Sequence, residues 1–206
     1  MNWGRYVAGK RRRQSCCGFS LIELLVAVAI LILLVTLYWS PNSKNRQQAL
    51  ERSCQKNLQK VYLALDIYAN DFGGSFPDAP SAKAAGEALN VLVPRYTSDT
   101  QLFVCPGSSQ SAAGPGVALS SHTLSYAYYM GRCATNSQQA LLSDQQIDTQ
   151  PKVAGQLVFS VTGKPPGNNH RQFGGNFLFC DGHLASSPPQ AAFPLPLGKG
   201  EVLLNP

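Results

Sequence analysis

The apolar positions of this chain fall into three rhythms. From Phe19 to Trp39 they are nearly continuous: "FSLIELLVAVAILILLVTLYW" is 21 residues with Glu23 as its single charged side chain. As one helix this run would span about 31 Å, close to the ~30 Å hydrocarbon core of a bilayer. From Leu50 to Phe72 the rhythm turns helical. Leu50, Cys54, Leu58, Val61, Leu65, Tyr68 and Phe72 recur at spacings of three and four, which predicts one face of an amphipathic helix. Arg52, Lys56, Gln59, Lys60 and Asn70 fall on the opposite face. Ser40-Pro41 marks a break or kink between the two runs, because proline disfavours helix in the residue before it. "FGGSFP" at 72–77 ends the second run.

After residue 77 the apolar runs are short and punctuated by Gly, Pro, Ser and Asn. Residues 82–93 predict a short helix. "QLFVC" (101–105), "LSYAYYM" (124–130), "QLVFSV" (156–161) and "NFLFC" (176–180) predict strands of an antiparallel sheet. The proline-rich stretch 186–200 predicts an irregular segment wrapped over that sheet. The expected fold class is α+β: a long N-terminal helix, its first half suited to lipid and its second half packed on a small antiparallel sheet.

Composition supports a folded chain, with 44% hydrophobic and 14% charged residues among 206. The net charge of +6 is unevenly placed, since residues 1–18 hold Arg5, Lys10, Arg11, Arg12 and Arg13 and no acid. The remaining chain is close to neutral, so no nucleic-acid surface is expected. The basic block before the apolar run fits the positive-inside rule, with the N-terminus cytoplasmic. The run is too long for a cleaved secretory signal and no A-x-A pattern closes it, so it is expected to remain as an anchor. An acid inside such a run costs energy unless it sits near an interface or finds a cation. Glu23 is therefore either an interfacial acid or half of a pair.

The stretch "G-F-S-L-I-E-L-L-V-A-V-A-I-L", Gly18 to Leu31, resembles the cleavage and methylation signature of type IV prepilins and type II secretion pseudopilins. The resemblance implies a type IV pilin-like fold and a structural role. It implies cleavage by a prepilin peptidase between Gly18 and Phe19, and N-methylation of Phe19. It also implies that Glu23 serves assembly, facing the α-amino group of a neighbouring subunit. The organisation expected is a basic leader (1–18), a transmembrane segment (19–39), the amphipathic half of the helix (40–71) and a periplasmic globular domain (72–206). The implied partners are the peptidase, other pilin or pseudopilin subunits, an inner-membrane assembly platform and membrane lipid. Further on, "SCQKNLQKVYLALDIYANDFGGSFP", "LFVCPG" and "NFLFCDGH" are similar to prepilin-type proteins with an H-x9-DG element, although ten residues separate His170 from Asp181 here.

Six cysteines divide by compartment. Cys16 and Cys17 fall in the leader. Cys54, Cys105, Cys133 and Cys180 fall in the exported part, where an oxidising environment favours disulfides with three possible connectivities. The preferred pairing is Cys105–Cys133 with Cys54–Cys180. "CDGH" reads first as a two-residue hairpin turn, with Gly182 taking positive φ. No cofactor is expected on that reading. The other reading is a metal loop using Asp181, His183 and His170, with Ca²⁺ as the ion that the resemblance to secretion pseudopilins implies, although the imidazoles suit zinc or nickel better. His122 reads as a surface histidine. Two other functional classes fit the pattern: a membrane-anchored periplasmic enzyme using His170, Asp181 and His183, and a DNA-binding minor pilin. No nucleophile elbow, phosphate loop or HExxH supports an enzyme.

Overall fold

A computed structural model describes residues 20–38, 43–164 and 169–206. The leader, the Gly18–Phe19 junction, Trp39 and Ser40-Pro41 lie outside the described residues. The chain divides into two compact units, one ending at Asn42 and the other running from Ser43 to Pro206.

The first unit contains helix α1 (Leu21–Tyr38), 18 residues or about 27 Å long. Every described side chain from 20 to 36 is exposed, including a full circle of Leu, Ile and Val. Among the described residues, no helix is long and apolar enough to cross a membrane.

The second unit begins with α2 (Ser43–Asp71). Its apolar stripe buries Cys54, Leu58, Val61 and Leu65 as the spacing predicts, and Ala64 and Ala69 with them. Phe72 departs from the stripe. The helix has ended at Asp71, and Phe72 stays 48% exposed, stacked on Tyr68 at 4.2 Å between ring centroids. The Gly74 N–H donates back to the Ala69 carbonyl at 2.7 Å, the six-to-one bond that closes a helix C-terminus.

Helix α3 (Ala85–Leu89) follows, with a 3-10 turn at Asn90–Leu92. The sheet then forms from β1 (Tyr126–Met130), β2 (Ala140–Asp144), β3 (Gly175–Phe179), β4 (Leu184–Ser187) and β5 (Val202–Leu204). Its order is β4-β3-β2-β1-β5, and every adjacent pair is antiparallel. The α+β expectation therefore holds. The architecture is pilin-like, with N-terminal helices and a five-stranded antiparallel sheet.

Both faces of the sheet are covered. Tyr126, Tyr128, Met130, Leu178 and Leu204 join the core under α2 and α3. Ala127, Tyr129, Phe177, Phe179 and Leu203 face a second core, closed by Val158, Phe159, Ala191 and Leu195. The tail thus wraps the sheet as expected. Two predicted strands are not strands. Residues 101–105 hold a 3-10 turn (Thr100–Phe103), capped by the Asp99 carboxylate accepting from the Gln101 N–H at 3.0 Å. Residues 156–161 make only the isolated bridge Leu157↔Gln190. Leu102, Phe103, Cys105, Val158 and Phe159 are buried by packing without a strand partner, whereas Leu157 and Val161 stay exposed.

Candidate functional site

Two chemically distinct places stand out: the start of α1 and a buried cluster inside the second unit. At the first, Ser20 precedes the helix and Glu23 occupies its third position. The Ser20 backbone N–H donates to Glu23 Oε2 at 3.2 Å, and the Leu24 N–H donates to the Ser20 carbonyl at 3.1 Å. This is the glutamate half of a capping box, in which the acid satisfies an N–H that the first turn leaves unpaired. Its negative charge also lies at the favourable end of the helix dipole. A carboxylate has two oxygens and about four acceptor sites, so capping still leaves capacity for a cation.

The second place is built from four segments of chain. Cys54 projects from α2, Cys105 follows the 3-10 turn, Asp144 ends β2, and His170 precedes the short turn Arg171–Phe173. All four are buried, and their donor atoms lie within 4.8 Å of one another. The Cys54 thiol donates to Asp144 Oδ1 at 3.2 Å. Cys105 Sγ lies 3.2 Å from His170 Nε2, and Asp144 Oδ2 lies 3.5 Å from that same nitrogen. Around them, Asn169 Nδ2 donates to Asp144 Oδ1 at 2.7 Å, and the Asn176 backbone N–H donates to Oδ2 at 2.7 Å. Gln47 Nε2 lies 2.7 Å from His170 Nδ1. The Gly107 N–H reaches Cys105 Sγ at 3.4 Å. A side chain at 107 would collide, because a Cβ there would stand 2.9 Å from His170 Nδ1 and 2.7 Å from the Asn169 carbonyl.

The electrostatics follow from burial and proximity. Burial pushes the Cys54 thiol well above its ordinary range, helped by its hydrogen bond with Cys105 and by the charge of Asp144. Burial acts the same way on Cys105, but hydrogen bonds with Cys54 and His170 outweigh it and leave that thiol lowered. Burial alone would depress His170, yet the hydrogen bond with Cys105 and the charge of Asp144 carry it up to about 9. The layout is not that of a nucleophilic triad. In a triad the acid holds the ring nitrogen remote from the nucleophile, whereas here thiol and carboxylate converge on Nε2.

The residues singled out in the sequence are distributed as follows. Cys54, Cys105, Cys133 and Cys180 are free thiols, and Cys105 neighbours Cys54 rather than Cys133. His170 belongs to the buried cluster, while Asp181 and His183 pair on the exposed β3–β4 turn at 2.5 Å. His170 meets α2 at Gln47, and the hairpin meets it at Tyr62, roughly 22 Å further along the helix. The proposed set of three therefore does not converge, either as metal ligands or as catalytic groups. Ca²⁺ takes about six to eight oxygens, and this turn supplies one carboxylate beside an imidazole. His122 is exposed.

The turn itself has a three-residue loop, Cys180–Gly182, rather than two. The Gly182 N–H donates to the Phe179 carbonyl at 2.9 Å, and the Phe179 N–H donates to the His183 carbonyl at 3.0 Å. Gly182 has φ +85°, and a Cβ there would stand 2.6 Å from the Tyr62 ring. Gly182→Ala is expected to cost about 2 kcal/mol in urea unfolding, and His183→Ala less than about 1.

Residues 13–38 match the family model of the prokaryotic N-terminal methylation motif. This is the type IV prepilin-like signature. No curated protein and no solved structure matches the chain. The prepilin-like signature supports a processed, pilin-like structural subunit, and it implies prepilin peptidase and pilin subunits as partners. Two functional features escaped the sequence reading. The capping box was present as S-L-I-E, Ser20 to Glu23, inside the signature itself. Asp144 had no local signal, because an acid ending the run "ALLSD" looks like an ordinary loop residue until the fold surrounds it.

Proposed function

We propose that this chain is a pilin-like structural subunit that polymerises from the inner membrane into a type II secretion pseudopilus or a type IV pilus. Prepilin peptidase cuts between Gly18 and Phe19 and methylates the new terminal amine. The run 19–39 anchors the subunit as a single pass, with the leader cytoplasmic and the second unit periplasmic. In the fibre, Glu23 faces the α-amino group of Phe19 on a neighbouring subunit. The assembly platform of the inner membrane and other pilin or pseudopilin subunits are the remaining partners.

The observation that carries this reading is the methylation motif at 13–38, whose residues 21–38 form α1. A helix that is apolar on all sides finds its stable environment in lipid or among other helices. In α1 such a surface coincides with a single acid in the first turn. Lipid before assembly and a bundle of like helices after it meet both requirements.

Terminal mass spectrometry of membrane-extracted protein tests the processing step. The expected mature terminus is Phe19 carrying one methyl group, and Gly18 substitution is expected to block cleavage more strongly than loss of any single leader arginine. Protein that keeps Met1 in a host containing the peptidase would rule the reading out.

A further inference from the structure

We propose that Cys54, Cys105, Asp144 and His170 form a four-ligand site for one zinc-class divalent cation, which fastens α2 to the end of the sheet. This goes beyond the subunit reading and does not depend on it.

The donor set favours zinc chemistry. Two sulfurs, one imidazole nitrogen and one carboxylate oxygen are the ligand types that Zn²⁺ takes in tetrahedral sites, and they are a poor match for Ca²⁺ or Mg²⁺. The geometry agrees. Bond lengths of about 2.0–2.3 Å in a tetrahedron put ligand atoms roughly 3.3–3.8 Å apart. The Cys105–His170 edge is 3.2 Å, and Asp144 meets the site through both oxygens, Oδ1 3.2 Å from Cys54 Sγ and Oδ2 3.5 Å from His170 Nε2. With one donor atom from each residue, all four lie within 4.8 Å of one another. Side-chain adjustments of up to about 1 Å, with one Asp144 oxygen turned to the centre, bring these edges into the tetrahedral range. Four protein ligands and full burial describe a closed site, whose role is structural.

The outer contacts suit the same assignment. A metal on His170 Nε2 leaves the proton on Nδ1, which Gln47 can accept through its amide oxygen after turning its side chain over. Asn169 and the Asn176 backbone hold the Asp144 carboxylate, and the Gly107 N–H supports Cys105 Sγ. An access path is present as well, because Gln47, Gly107, Asn169 and Arg171 line one cleft beside the cluster. On binding, the two thiol protons, and any proton on His170 Nε2, leave to solvent. The site then holds two thiolates, one carboxylate and a neutral imidazole around a divalent ion.

The test uses the full-length chain in detergent, purified without chelators. About one zinc per chain is expected by elemental mass spectrometry. After chelation and addition of one equivalent of Co²⁺, a thiolate-to-cobalt charge-transfer band is expected, bleached by Zn²⁺. Cys54→Ser, Cys105→Ser and His170→Gln are expected to lower zinc affinity at least tenfold, and Gln47→Leu about tenfold through the outer contact. Cys133→Ser and His183→Gln are expected to leave it unchanged. Should the ligand variants fail to fold, the cobalt spectrum of the unmutated chain decides alone. Absence of the cobalt–thiolate band, or a Cys54–Cys105 disulfide trapped by acid quenching and alkylation of whole cells, would overturn the proposal.

Discussion

Subunits carrying Glu23→Ala are expected to reach the membrane, keep their folded second unit and fail to enter fibres. Each part of that outcome has a separate cause. Removing the acid makes α1 more apolar, so insertion is not impaired. The second unit is compact in its own right from Ser43 onward, so its unfolding transition is expected to stay unchanged. What disappears, on the proposed assembly, is the negative charge that would face a neighbour's terminal amine. A buried charge left without its counterpart costs about 3–5 kcal/mol. Every ~1.4 kcal/mol is tenfold in an association constant. Because Glu23 also caps α1 through the Ser20 N–H, alanine alone confounds the two roles. Glu23→Gln separates them, since an amide oxygen can accept the same N–H without carrying charge. Fibre imaging after shear is expected to show the glutamine variant as deficient as alanine. Normal fibres from glutamine subunits would make Glu23 a capping residue only.

Arg132→Met is expected to destabilise the second unit by about 3–5 kcal/mol, among the largest effects of any single change there. Arg132 follows β1 and is 3% exposed. Its guanidinium pairs with Glu201 at 3.0 Å and donates to the carbonyls of Ala140 and Pro196. It also lies 4.4 Å from the centre of the Tyr129 ring. Methionine fills much of the volume but leaves the Glu201 carboxylate buried without its cation. The double variant Arg132→Met with Glu201→Gln is expected to recover part of the loss, because the orphaned charge is gone. Urea denaturation measures both, and equal stabilities for single and double variants would deny the ion pair this role.

The parts of the fold legible in the sequence are those with a strong period. The continuous run at 19–39 and the three-four spacing over 50–68 both appear as helices. The strands were harder because the sheet is covered on both faces. All five residues of β2, "ALLSD", are buried, so no alternation of apolar and polar positions marks it. A bulge between Ala140 and Leu142 places Leu141 and Leu142 in the same core, which removes even the residual period. β5 is three residues long and follows a Gly-Lys-Gly turn. The cluster shows the same limit in another form. Cys54, Cys105 and His170 drew notice by residue type, but which groups meet depends on contacts as distant in sequence as 90 residues for Cys54–Asp144 and 65 for Cys105–His170. The pairing preferred from the sequence joins Cys105 to Cys133. The fold instead turns Cys105 inward on a 3-10 turn toward α2.

The position of β5 sets the order in which this subunit can mature. β1 sits between β2 and β5, and β5 (Val202–Leu204) is the last of the five strands in chain order. Emerging N-terminus first, the polypeptide delivers α2, β1 and β2 long before the strand that covers the outer edge of β1. Until then that edge presents unpaired N–H and C=O groups, a template for pairing with another chain. Completion of this edge of the sheet thus waits on residues 202–204. A chain in which β5 has not docked would leave the outer edge of β1 open, which distinguishes a finished sheet from an unfinished one.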